Sequence, residues 1–182
     1  MLSRGWCRRS RGQALVEFAL VVPVFLALIG GIVQFGLVFW AQNTLTQVVR
    51  DTGRWEATQQ TTCTPASSGA ARADVVSKAN SIAASSSLLG YSSAAQFVEY
   101  ASPATPPEGV AVSWARNSAE SPEQSCPPST NQSVWVVTIT VRHTVATFIP
   151  GMTYLPGLGT CDSNGCRLTL SSTAQYRMEP KP

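Results

Sequence analysis

The side chains able to do chemistry are few and badly placed for it. His143 is the only imidazole, and the five cysteines, Cys7, Cys63, Cys126, Cys161 and Cys166, include no C-x-x-C pair. Zinc sites use cysteine and histidine at short recurrent spacings, so no metal-ligand set is present. A Ser–His–Asp or Cys–His group would have to use His143, which lies inside a strand-like stretch. Neither G-x-S-x-G nor H-E-x-x-H occurs. The expectation is a chain with no catalytic residue, no metal and no cofactor, and so not an enzyme.

Disulfide chemistry is the better use of the cysteines. Cys63, Cys126, Cys161 and Cys166 form an even set beyond a long apolar run, with Cys7 before it. Cys161 to Cys166 would close a short loop over the turn signal Asn164-Gly165, leaving Cys63 for Cys126. Four cysteines permit three pairings, and sequence does not choose among them.

The remaining informative group is a carboxylate, Glu17, at the head of that apolar run. From Phe18 to Ala41 the one strongly polar side chain is Gln34. As a helix at about 1.5 Å per residue this run exceeds the ~30 Å hydrocarbon core of a bilayer. It is too long for the core of a cleaved secretory signal and has no A-x-A-like cut site. It also lacks the polar face of a soluble core helix, which leaves a single transmembrane anchor. Arg4, Arg8, Arg9 and Arg11 all lie before residue 13 and no acid does; behind the run come only the more distant Arg50 and Arg54. The charge asymmetry predicts a single pass through the cytoplasmic membrane, with a cytoplasmic N-terminus and an extracytoplasmic C-terminal domain.

Composition agrees. Only 13% of the 182 residues are charged, about half the share of an ordinary soluble domain. Beyond Gly12 the chain holds nine basic and ten acidic residues, so its body offers no basic surface for nucleic acid.

The stretch Arg8-Arg9-Ser10-Arg11-Gly12-Gln13-Ala14-Leu15-Val16-Glu17-Phe18 is a basic leader ending in glycine, with a carboxylate five residues into an apolar helix. It resembles the processing site of type IV prepilins and pseudopilins. That resemblance implies a prepilin-type membrane peptidase cutting between Gly12 and Gln13, with Glu17 at the fifth mature position. Gly12 to Pro23, then Gly31-Ile-Val-Gln-Phe-Gly36, then Arg50-Asp-Thr-Gly-Arg54 resembles the TadE family, small pseudopilin-like proteins of the tight-adherence (Tad/Flp) pilus system. The likeness covers residues 12 to about 57; a weaker likeness to the ends of such proteins covers 148–179. It implies a role in assembling or initiating a surface pilus. The implied partners are the membrane, other pilin or pseudopilin subunits and the Tad assembly machinery.

These residues divide the chain into a basic leader (1–12), a transmembrane helix with its outward extension (13–60) and an extracytoplasmic α+β domain (61–182). In the anchor, Gly30, Gly31 and Gly36 are small residues suited to close helix packing. Beyond it Leu45, Val48, Val49, Thr52 and Trp55 recur at helical spacing, while Arg50 and Arg54 share another face. A solvated or headgroup-facing role for that arginine face is favoured over a subunit contact. A Thr/Ser/Pro linker covers 61–69, and an amphipathic helix 70–89 carries Val75, Val76, Ala79, Ile82 and Ala83 on its apolar side. Its polar side, with Arg72, Asp74, Lys78 and Ser85, is expected to face solvent.

Strands are predicted at 96–101, 110–115, 135–148 and 167–178. The third alternates most clearly, with Trp135, Val137, Ile139, Val141 and Val145 on one face and His143 among them. Residues 116–131 have no apolar periodicity and are expected to form a loop tethered through Cys126. The predicted architecture is α+β: a transmembrane helix extended outward, then a small pilin-like domain with a helix on an antiparallel sheet. The alternative reading is a generic anchored module for binding or adhesion.

Overall fold

A computed structural model describes residues 11–58, 68–92, 96–100, 108–115, 135–147, 159–162 and 165–178. Cys63 and Cys126, the leader before Arg11 and the expected loop at 116–131 lie outside the described residues.

Helix α1 runs without a break from Arg11–Thr58, 48 residues, a rod of about 72 Å. Pro23 sits inside it; a membrane helix tolerates the lost backbone bond better than a soluble one does. The rod has two unlike halves. From Gly12 to Val33 no side chain is buried, and Leu15, Phe18, Leu20 and Val24 are each more than two-thirds exposed. From Gln34 onward one stripe is buried: Gln34, Ala41, Leu45, Val48, Val49, Thr52 and Glu56. The steps of three, four and seven keep them on one face of the helix.

That stripe seats α1 on a sheet. Helix α2 spans Ser68–Ser85, and the strands are β1 Gly109–Ala115, β2 Val136–Thr147, β3 Gly159–Asp162 and β4 Gly165–Arg177. They pair antiparallel in the order β1-β2-β4-β3. Strand β2 is central; Val137, Ile139, Val141, His143 and Val145 face the helices, and Thr138, Thr140, Arg142 and Thr144 face the other way. Leu168, Leu170 and Met178 of the β4 segment and Val110, Val112 and Trp114 of β1 complete the buried layer. Helix α1 lies over β2 and β4, and α2 lies beside α1 near β1. The architecture is the α+β arrangement predicted, with α1, α2 and an antiparallel sheet sharing one core.

Two elements differ from the sequence-based expectation. Residues 96–100 form no strand: Glu99 makes a single parallel bridge with Val110. Toward β1 the Val98 carbonyl accepts from the Val110 N–H (2.8 Å) and the Tyr100 N–H donates to the Val110 carbonyl (3.1 Å). The other edge is held by the Asn80 side chain on α2, whose Nδ2 donates to the Phe97 carbonyl (3.0 Å) and whose Oδ1 accepts from the Phe97 N–H (2.8 Å). Conversely β3 was not predicted as a strand. Its residues pair with the start of β4, placing Cys161 opposite Cys166.

The polar side of α2 is also busier than the periodicity implies. Arg72 Nε lies 2.7 Å from Glu99 Oε1, and Lys78 Nζ lies over the Trp55 ring at 5.9 Å. Both tie α2 to its neighbours instead of leaving it merely solvated.

Candidate functional site

The residues expected at the head of the anchor all lie on the first turns of α1. Gly12, Gln13 and Glu17 are exposed there, and a Cβ built on Gly12 would meet nothing within 4 Å. Gln13 and Glu17 are four apart and therefore share a face, separated by about 6 Å of helix rise. Gly31 and Gly36 likewise have open space around them, and Gly30 is partly covered. No element within the described residues packs against Gly31 or Gly36, so any close approach they permit is to something outside this chain.

The outer half of α1 is held to the sheet by polar and steric fits that hydropathy does not reveal. Gln42 Nε2 donates to the Ser171 carbonyl at 3.1 Å, and Ser172 Oγ lies 3.4 Å from Thr46 Oγ1. Thr44, Thr46 and Thr52 return their hydroxyls to the carbonyls of Trp40, Gln42 and Val48, so these polar groups enter the contact already satisfied. Higher up, a Cβ on Gly53 would come within 2.5 Å of Tyr176 Cδ2 and Cε2. Glycine there lets the helix backbone rest on the tyrosine ring. Arg50 and Arg54 are exposed on the opposite side.

His143 is a structural residue. It is fully buried. Its Nε2 lies 2.7 Å from the Leu89 carbonyl, and its Nδ1 lies 3.4 Å from Glu108 Oε1. The same carboxylate oxygen accepts from the Thr144 N–H at 3.2 Å and from the Thr144 hydroxyl. The Phe97 ring meets the imidazole edge-on, with centroids 5.9 Å apart. The ring is held through Nε2 to the Leu89 carbonyl, and the Glu108 carboxylate is bound to the backbone of β2 at Thr144, so the group fastens the 88–91 turn and the residue before β1 to the sheet. Gly90 makes room: it has φ +83°, and a Cβ there would lie 3.3 Å from His143 Nε2. Sequence placed His143 on the apolar face; Glu108, which lies next to β1 and far from His143 in the chain, gave no signal of the pairing.

Asn80 is the other residue missed. Besides clasping Phe97, its Oδ1 accepts from Tyr91 Oη at 3.0 Å. Asn80→Ala is expected to lose about 1–2 kcal/mol, because three partly buried bonds go while solvent recovers some of them. Hydrogen exchange at the Phe97 amide should accelerate, and a Phe97 amide as protected as in the parent would contradict the clasp.

Burial raises the Tyr91 phenol above its ordinary value of 10.0. A group whose folded-state value is the higher one contributes stability that is intact below the ordinary value and is lost as pH rises through the raised one. Phenolate absorbance should therefore show Tyr91 ionising late, with loosening of the α2 clasp at that pH. Burial raises the Tyr100 phenol as well, so Tyr91→Phe should remove one late-ionising phenol and leave that of Tyr100.

A groove of about 780 Å³ runs between α2 and residues 91–92 and 96–99, lined in part by Val76, Ser77, Asn80, Tyr91 and Phe97. Its carboxylate, Glu99, is engaged by Arg72. Among the described residues no group of three His, Cys, Asp or Glu side chains could hold a metal. Cys161 and Cys166 are joined as a disulfide across the β3–β4 hairpin.

The arrangement defines a class: a head domain of one helix on an antiparallel sheet, carried on a single continuous helix whose other half is long and apolar enough to cross a membrane. Residues 12–54 match the model of the TadE-like proteins. No curated protein and no solved structure matches the chain. The matched segment begins at Gly12 and ends one residue beyond Gly53, so it takes in both the exposed apolar half of α1 and the seat on the sheet.

Proposed function

We propose that this protein is a non-enzymatic, membrane-anchored, pseudopilin-like component that assembles or initiates a Tad/Flp-type surface pilus. The observation that carries this reading is the coincidence of the TadE-like segment, residues 12–54, with a helix left bare from Gly12 to Val33. A bare apolar helix must be covered by lipid or by other helices. Gly31 and Gly36 offer sites where a sister helix can come close, since packing in lipid depends on small residues and not on a hydrophobic drive.

In this reading the leader is removed by a prepilin-type peptidase between Gly12 and Gln13. The new α-amino group of Gln13 then pairs with Glu17 of a neighbouring subunit. At low dielectric such a pair discriminates strongly between registers, although desolvation offsets much of its energy. The N-terminus faces the cytoplasm, as the four leading arginines direct, and the disulfide-bearing head lies outside.

Deletion of the gene should abolish piliation, and a copy with Glu17→Gln should restore membrane insertion without restoring pili. Normal piliation in the deletion strain, with reduced attachment of the cells to surfaces, would instead favour an anchored adhesion module.

A further inference from the structure

The head domain is seated low on α1. Three contacts set its height on α1: Gln42 with Ser171, Thr46 with Ser172, and Gly53 with Tyr176. A helix rises about 1.5 Å per residue and a strand about 3.3 Å. Gln42 to Gly53 is then about 16 Å along α1, and Ser171 to Tyr176 is about the same along β4. The two elements run side by side in one direction without drifting apart.

Continuing down β4 by the same steps, Arg167 lies about 13 Å below Ser171, level with about residue 33 of α1. Cys166 is one step lower. It pairs with Thr147 of β2 on one side and with Cys161 of β3 on the other, so three strands come to this level together. An independent observation agrees. Gln34 is 1% exposed although Val33 and Phe35 on either side are half exposed, so the head covers α1 down to that height.

The bilayer reaches the same height from below. Counting about 20 residues of hydrocarbon core from Leu15, the first large apolar side chain after Gly12, puts its outer boundary near residue 34. Trp40, nearly half exposed, lies in the headgroup zone above, where tryptophan is favoured.

We propose that the lower end of the head domain, the ends of β2 and β3 and the start of β4, rests in the outer headgroup layer of the membrane that α1 crosses. The partner is a phospholipid surface. Arg167 is exposed at this level and suits lipid phosphate, with its stem over apolar surface. With a second contact beside the anchor, the head and α1, which share one core, are limited in how far they tilt against the membrane plane. The inference rests on α1 being the membrane anchor.

The test uses the full chain in nanodiscs of phosphatidylcholine and phosphatidylglycerol. An environment-sensitive fluorescent amino acid is placed at Leu26, Arg167 or Gln175 in turn, with Ala146 as a second lower-end site. Lipids brominated high on the acyl chain should quench the probe at positions 26, 167 and 146 by about twofold or more, and leave position 175 bright. Quenching at 26 but not at 167 or 146 would overturn the resting head and leave the anchor intact. No quenching at 26 would overturn the anchor and, with it, this proposal.

Discussion

Gly12→Leu is expected to leave the leader on the chain. A peptidase cutting after Gly12 needs the backbone there in extended form with no side chain in the way, which glycine alone provides at no steric cost. Nothing in the protein's own fold opposes the substitution: a Cβ at this position meets open space. The variant should therefore insert and fold normally while remaining unprocessed. Its mass should exceed that of the mature parent by the twelve leader residues, on the order of 1.4 kDa. The retained α-amino group would then lie at Met1, beyond a run of arginines, and could not meet Glu17 of a neighbour in the lipid. Piliation should fall with processing. A variant that migrates with the parent would refute cleavage at this bond.

Gly53→Leu is the larger effect on stability. The Cβ alone would lie 2.5 Å from two ring carbons of Tyr176, well inside contact distance, and the leucine branches would extend farther. Removing a glycine from a helix interior gains about 1 kcal/mol. Overpacking at a helix–sheet contact costs about 1–3 kcal/mol, occasionally more. The contact also sets the height of α1 on β4, so the strain cannot be relieved without shifting the seat near Gln42 and Ser171. The net loss should be about 1–2 kcal/mol, toward the upper end of that difference, seen as a lower urea midpoint for the full chain in detergent. Adding Tyr176→Ala should recover much of it, because the two residues are coupled directly. An unchanged midpoint for Gly53→Leu would mean that α1 does not lie on Tyr176.

Much of this was legible in the sequence because it is local. The bare stretch of α1, the Val75–Ala79–Ala83 face of α2 and the alternation of β2 each follow from a period that a window of ten to twenty residues reveals. The Asn164-Gly165 turn pointed to the hairpin that brings Cys161 to Cys166. What escaped depends on residues far apart in the chain. Asn80 reads as an ordinary polar position on a helix, and only the fold brings Phe97 to it. Glu108 becomes a partner of His143 through the β1–β2 register, which places Gly109 opposite Arg142. The Leu45–Val48–Val49–Thr52 stripe was evident as a stripe, but whether it met lipid, a subunit or its own sheet was not. The structure answers that it is core. The same holds at the anchor, where Gly31 and Gly36 remain uncovered by the described chain. A monomer's sequence and fold can mark such positions as available, and the partner has to supply the rest.

The most direct test of the account is the first residue of the mature protein, determined by mass spectrometry on material from the membranes of cells with an active prepilin-type peptidase. The account expects Gln13 at the amino terminus. A chain that still begins at Met1 in those membranes would contradict it.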